Sequence, residues 1–132
     1  MKAIKLLLIA MSILLINVSC KKAGTGGKAT IVTFLKHHGK TIPSVSGHPD
    51  TVFVKFNANE LPGTKASDFD TYFIGEVGED HVHLEELKKG KYYLYGVGWD
   101  TDINQRVTGG MAIKIKWSER KKEIDTDLAV TE

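Results

Sequence analysis

Met111-Ala112-Ile113-Lys114-Ile115-Lys116-Trp117 decides the fold class of this chain. Apolar Met111, Ile113, Ile115 and Trp117 alternate with Ala112, Lys114 and Lys116. Successive side chains of a strand point to opposite faces, so this period of two gives one dry row and one wet row. The pattern recurs on both sides of the stretch. Val52, Val54 and Phe56 alternate with Thr51, Phe53 and Lys55. Val82 and Leu84 alternate with His81, His83 and Glu85, and Ile124, Thr126 and Leu128 with Glu123, Asp125 and Asp127. Ile31–Leu35 and Tyr92–Val97 are apolar or aromatic on both sides, as central strands are. Asp70–Val77 is a further β-rich run, with Tyr72, Phe73 and Ile74.

Strands are expected at about 29–36, 51–57, 70–77, 81–87, 91–98, 106–117 and 121–130. Turn residues separate them, among them His38-Gly39-Lys40, Leu61-Pro62-Gly63, Gly78-Glu79-Asp80, Lys89-Gly90 and Ser118-Glu119-Arg120. Beyond the N-terminal segment no stretch shows a helical apolar face, and Glu85–Lys89 offers one turn at most. The expectation is an all-β chain: a single seven-stranded antiparallel Greek-key β-sandwich over residues 29–132, with 106–117 and 121–130 as a hairpin.

The N-terminus reads differently. Lys2 and Lys5 precede an uncharged run, Leu6 to Ile16, and then Asn17-Val18-Ser19-Cys20. A basic start, an apolar segment shorter than a bilayer span and a small residue before the cut describe a secretory signal. Cys20 is the only cysteine in the chain. The segment resembles the lipobox of bacterial lipoproteins, with Asn17 where that pattern usually carries leucine. The resemblance implies cleavage of 1–19 and lipid on Cys20, which makes the membrane a partner. Several acyl chains anchor durably where one does not. Lys21-Lys22-Ala23-Gly24-Thr25-Gly26-Gly27-Lys28 is expected to be a flexible tether, so 20–28 joins anchor to domain. The expected address is the cell envelope, facing the periplasm, because Lys21-Lys22 is unlike acidic surface-export signals.

Losing Lys2 and Lys5 with the signal cancels the +2 formal charge of the whole chain. No excess remains to favour nucleic acid. A lipidated Cys20 leaves no thiol for a disulfide, a thiolate metal site or a nucleophile.

Three segments together resemble the carboxypeptidase regulatory-like and transthyretin-like β-sandwich modules. They are Gly39-Lys40-Thr41-Ile42-Pro43 before Thr51-Val52-Phe53-Val54; Gly78, Val82 and Leu84; and Leu87 followed by Gly90-Lys91-Tyr92-Tyr93-Leu94. The likeness spans roughly 29–98 and implies a fold more firmly than a function. The insert Asn57–Phe69 is longer than a minimal module needs. One transthyretin-like branch hydrolyses 5-hydroxyisourate with a C-terminal Tyr-Arg-Gly-Ser. This chain ends Leu128-Ala129-Val130-Thr131-Glu132, so that activity is not expected.

Of the candidate sites, His81 and His83 lead, because positions i and i+2 of a strand share a face. Zinc needs three or four ligands, and Asp80, Glu85, His37, His38 or His48 would have to supply the rest. Asp100, Asp102 and Asn104 match the first oxygen positions of a calcium loop, but Gln105 stands where glycine is required and Met111 where an acid closes the site. Tyr93, Tyr95 and Trp99 make a binding platform if their face is open, and packing if it is covered. No nucleophile motif is present. The expectation is a non-enzymatic binding or structural module without a cofactor, with an envelope protein, peptide or glycan as partner. A metal-binding protein using His81 and His83 and a small-ligand carrier are the alternatives.

Overall fold

The computed structural model describes residues 22–132, all-β and without an α-helix among them. The expected cleavage site and Cys20 lie outside the described residues. Eight strands form two four-stranded sheets. They are β1 (Thr25–His37), β2 (Lys40–Thr41), β3 (Thr51–Phe56), β4 (Thr71–Ile74), β5 (Val82–Leu87), β6 (Gly90–Asp100), β7 (Gln105–Ile115) and β8 (Glu123–Val130). In the first sheet β1 pairs with β5 and then β2 along one edge and with β8 along the other. The second sheet runs β4-β3-β6-β7, antiparallel throughout.

The inward rows are those the alternation marks. Ile31, Leu35, Leu84 and Leu128 of the first sheet meet Val52, Val54, Leu94 and Val107 of the second in one core. Each such side chain contributes about 1.5–3 kcal/mol by leaving water. The sheets touch closely at Gly96, where a Cβ would come within 2.6 Å of the Leu35 side chain.

Three expectations are corrected. The eighth strand is β2, a two-residue bridge folded back on β1 through His38 and Gly39, both at positive φ. The last strand does not form a hairpin with β7 but runs parallel to β1, with Ile31 beside Ile124 and Leu35 beside Leu128. A 3-10 turn, Trp117–Glu119, ends β7 early and carries the chain across to the first sheet. Trp117 therefore leaves the strand and is 59% exposed. Alternation fixes which face a side chain takes; it carries no information on partner or direction.

Third, the segment expected to be a flexible tether is part of the domain. Residues from Ala23 onward are bound to the domain, and β1 begins at Thr25. Ala23 N–H donates to Asn57 Oδ1 at 3.1 Å, and Lys88 N–H to the Gly24 carbonyl at 2.8 Å. The buried Tyr92 hydroxyl accepts from Gly24 N–H at 3.0 Å and donates to the Lys88 carbonyl. Gly27 lies so close to the backbone of β5 that a Cβ would sit 2.2 Å from the Leu87 carbonyl oxygen. Glycine here serves close packing, where composition alone suggests flexibility.

Candidate metal centre

Strand β5 runs along one edge of β1, with Val82 and Leu84 in the core and His81 and His83 outward. The two imidazoles stand edge to face, with centroids 4.7 Å apart. The turn before β5 adds the residue that composition alone does not single out. Glu79 reaches back so that its carboxylate and one nitrogen from each histidine lie within 4.8 Å of one another. Backbone bonds hold that turn: Ser44 N–H donates to the Glu79 carbonyl and Gly78 N–H to the Ser44 carbonyl, both at 2.8 Å.

Asp80 orients the centre. Its Oδ1 lies 2.8 Å from His81 Nδ1, and Glu79 Oε2 lies 3.4 Å from His81 Nε2. The Asp80 carboxylate holds the proton on Nδ1 and turns Nε2 toward Glu79. A carboxylate behind a histidine in this way fixes the tautomer and strengthens the ring as a metal ligand. The same bond to Asp80 raises the His81 pKa, against burial, and Glu79 adds to the rise. His81 in turn lowers Asp80. Glu76 and Glu85 line the same shallow pocket, of about 220 Å³. Two nitrogens and a carboxylate oxygen suit zinc and its neighbours in the transition series. Bonds of about 2.0–2.2 Å at tetrahedral angles put ligands ~3.3 Å apart, so binding would draw the three groups inward by side-chain rotation.

Buried His37 forms a second cluster. Its Nδ1 lies 2.6 Å from Asp100 Oδ2 and its Nε2 2.7 Å from Glu132 Oε2. A ring with a carboxylate on each nitrogen is an imidazolium donating twice. The bond to Asp100 leads in raising its pKa, with Glu132 adding to it. Exposed His38 packs against it, ring centroids 4.1 Å apart. With both nitrogens occupied, His37 clamps the ends of β1, β6 and β8 together.

The other candidates disperse. Asp100 Oδ1 accepts from Asp102 N–H at 2.9 Å while Oδ2 serves His37. Asp102 takes Lys40 Nζ at 2.7 Å, and Asn104 Oδ1 accepts from Trp99 Nε1 at 3.3 Å. These oxygens brace a turn and do not converge. The aromatic platform is also covered. Phe69, from the long insert, stacks on Tyr95 at 5.6 Å, leaving Tyr95 6% exposed. Tyr93 is half-buried, its ring lying against Gly110. Trp99 is half-buried too, and stacks on His48 at 4.0 Å.

No protein-family model matches the chain, and neither does any curated protein or solved structure.

Proposed function

We propose that this chain is a cell-envelope lipoprotein, anchored through lipid on Cys20 and facing the periplasm. Its domain is a transthyretin-like Greek-key β-sandwich that serves as a binding module for a divalent transition metal ion, zinc foremost. One observation carries the metal reading: Glu79, His81 and His83 gather on an open face, with Asp80 behind His81. Three protein ligands leave a fourth position for water, Glu76, Glu85 or a group from a partner. The family reading draws support from β6, where Tyr92 and Leu94 of the Gly-x-Tyr-x-Leu element enter the core. A glycan or peptide platform on Tyr93, Tyr95 and Trp99 loses ground because Phe69 and His48 occupy its stacking faces.

Equilibrium dialysis against Zn²⁺ tests the metal reading. One ion per chain is expected, absent in His81→Ala and in His83→Ala. Asp80→Asn should weaken binding by about 10–100-fold, the usual effect of losing such an orienting group. Metal at Nε2 displaces the second proton of the His81 imidazolium and leaves Nδ1–H on Asp80, so affinity should fall as pH drops through the raised pKa. Sub-stoichiometric zinc, or full zinc in both alanine variants, would overturn the proposal.

A further inference from the structure

At the end of the domain where β1 begins, an open groove of about 590 Å³ lies around Trp117. Six basic side chains surround it: Lys22, Lys28, Lys88, Lys89, Arg120 and Lys121. No acid lines it. None of the six pairs with a carboxylate among the described residues. The residues before Lys22 contain no Asp or Glu that could do so. With the formal charge near zero once the signal is lost, this is a strong local asymmetry.

The indole is held for contact. Arg120 lies over its ring at 3.6 Å while Nη1 donates to the Trp117 carbonyl at 2.9 Å, and Lys89 Nζ stands 5.7 Å from the ring. Three separate connections build the groove: the start of β1, the β5–β6 turn and the β7–β8 turn. A tryptophan ringed by lysine and arginine suits the bilayer interface, where the ring sits at headgroup level and the cations meet lipid phosphate.

The position of the anchor selects the occupant. Ala23 is fixed to Asn57, so only Lys21 and Lys22 lie between that point and Cys20, three residue steps away. Three residues reach at most about 10–11 Å. We propose that this groove is the face on which the domain docks to anionic phospholipid headgroups of the membrane that holds its lipid. The proposal rests on the lipoprotein reading. It also sets the orientation: the His81 ring lies 5.7 Å from that of Phe34 in β1, about 20 Å of strand from Lys28, so the metal centre lies away from the bilayer.

The test uses the full lipidated protein with Trp99→Phe, which leaves Trp117 as the only tryptophan. It is placed in brominated-lipid vesicles of phosphatidylethanolamine with phosphatidylglycerol, or of phosphatidylcholine alone. Trp117 emission should be quenched at least twofold more in the anionic vesicles. Added Lys88→Glu, Lys89→Glu and Lys121→Glu should abolish that difference, as should 1 M salt, which shortens screening to about 3 Å. Equal quenching in the two vesicle types would overturn the proposal. So would relief of quenching by a short oligonucleotide, which would assign the groove to a soluble polyanion. Mass spectrometry of the same sample reports the acyl chains. A chain without them overturns the anchor reading and this proposal with it, whereas an acylated chain quenched equally overturns docking alone.

Discussion

Asp50 should make this domain less stable as pH rises from acid to neutral, and Asp50→Asn should remove that loss. The carboxylate is 1% exposed, and neither oxygen has a hydrogen-bond partner. Oδ1 faces the bare backbone of Gly98, beside Ile42 and Leu35. Burial raises its pKa from 3.8 to about 7. The folded state therefore keeps its proton where the unfolded chain has lost it. Below 3.8 the two states bind the proton alike. Above it, stability falls until the folded carboxyl also ionises near 7, and then levels off. At 1.36 kcal/mol per pH unit the loss reaches at most about 4 kcal/mol by pH 8, with about 2 kcal/mol already present at pH 5. Asparagine has the same shape and no charge, and its own burial cost is equal at both pH values. Urea unfolding of both proteins at pH 5 and pH 8 measures the effect. The native protein should lose about 2–3 kcal/mol more than the variant across that interval. His37 and His81, both raised, also lose their contribution as pH rises, and do so in both proteins. An equal pH dependence in the two would refute the reasoning about Asp50.

Other consequences are as direct. Gly27→Ala forces a Cβ against the Leu87 carbonyl and should cost about 1–3 kcal/mol, read as a lower urea midpoint; an unchanged midpoint would mean that β1 yields freely there. Tyr92→Phe leaves Gly24 N–H and the Lys88 carbonyl without the hydroxyl, at about 1–2 kcal/mol. Faster amide exchange confined to the start of β1 and the β5–β6 turn should accompany it, and uniform protection would contradict the fixing of residues 23–28 by the Tyr92 hydroxyl. Cys20→Ala should abolish fatty-acid labelling and release the protein from the membrane fraction; continued labelling of that variant would refute the lipid anchor.

Much of the fold was legible because alternation is a local signal. Val52 and Val54, Val82 and Leu84, and Ile115 and Leu128 all face inward as their spacing requires. The parallel union of β8 with β1 was not legible, since Ile124 and Leu128 would show the same dry row against any partner. Gly24, Gly26 and Gly27 read as slack chain, because sequence does not reveal that Tyr92 and Leu87 lie within reach of them. At the candidate centre, His81 and His83 were visible from strand spacing. Glu79 was not, because a turn glutamate gains meaning only when the turn folds back toward the strand it precedes. The burial of Asp50 and of His37 was not legible for a related reason. Asp50 stands in a polar-looking turn and His37 at a strand end, so neither sequence position suggests burial.

X-ray absorption at the zinc edge of the metal-loaded protein reads the ligands that Glu79, His81 and His83 supply. A shell of nitrogen and oxygen ligands at about 2.0–2.1 Å is expected, with the outer scattering of two imidazoles, and no bound zinc in His83→Ala. An oxygen-only shell, or two imidazoles persisting in His83→Ala, would contradict this ligand set.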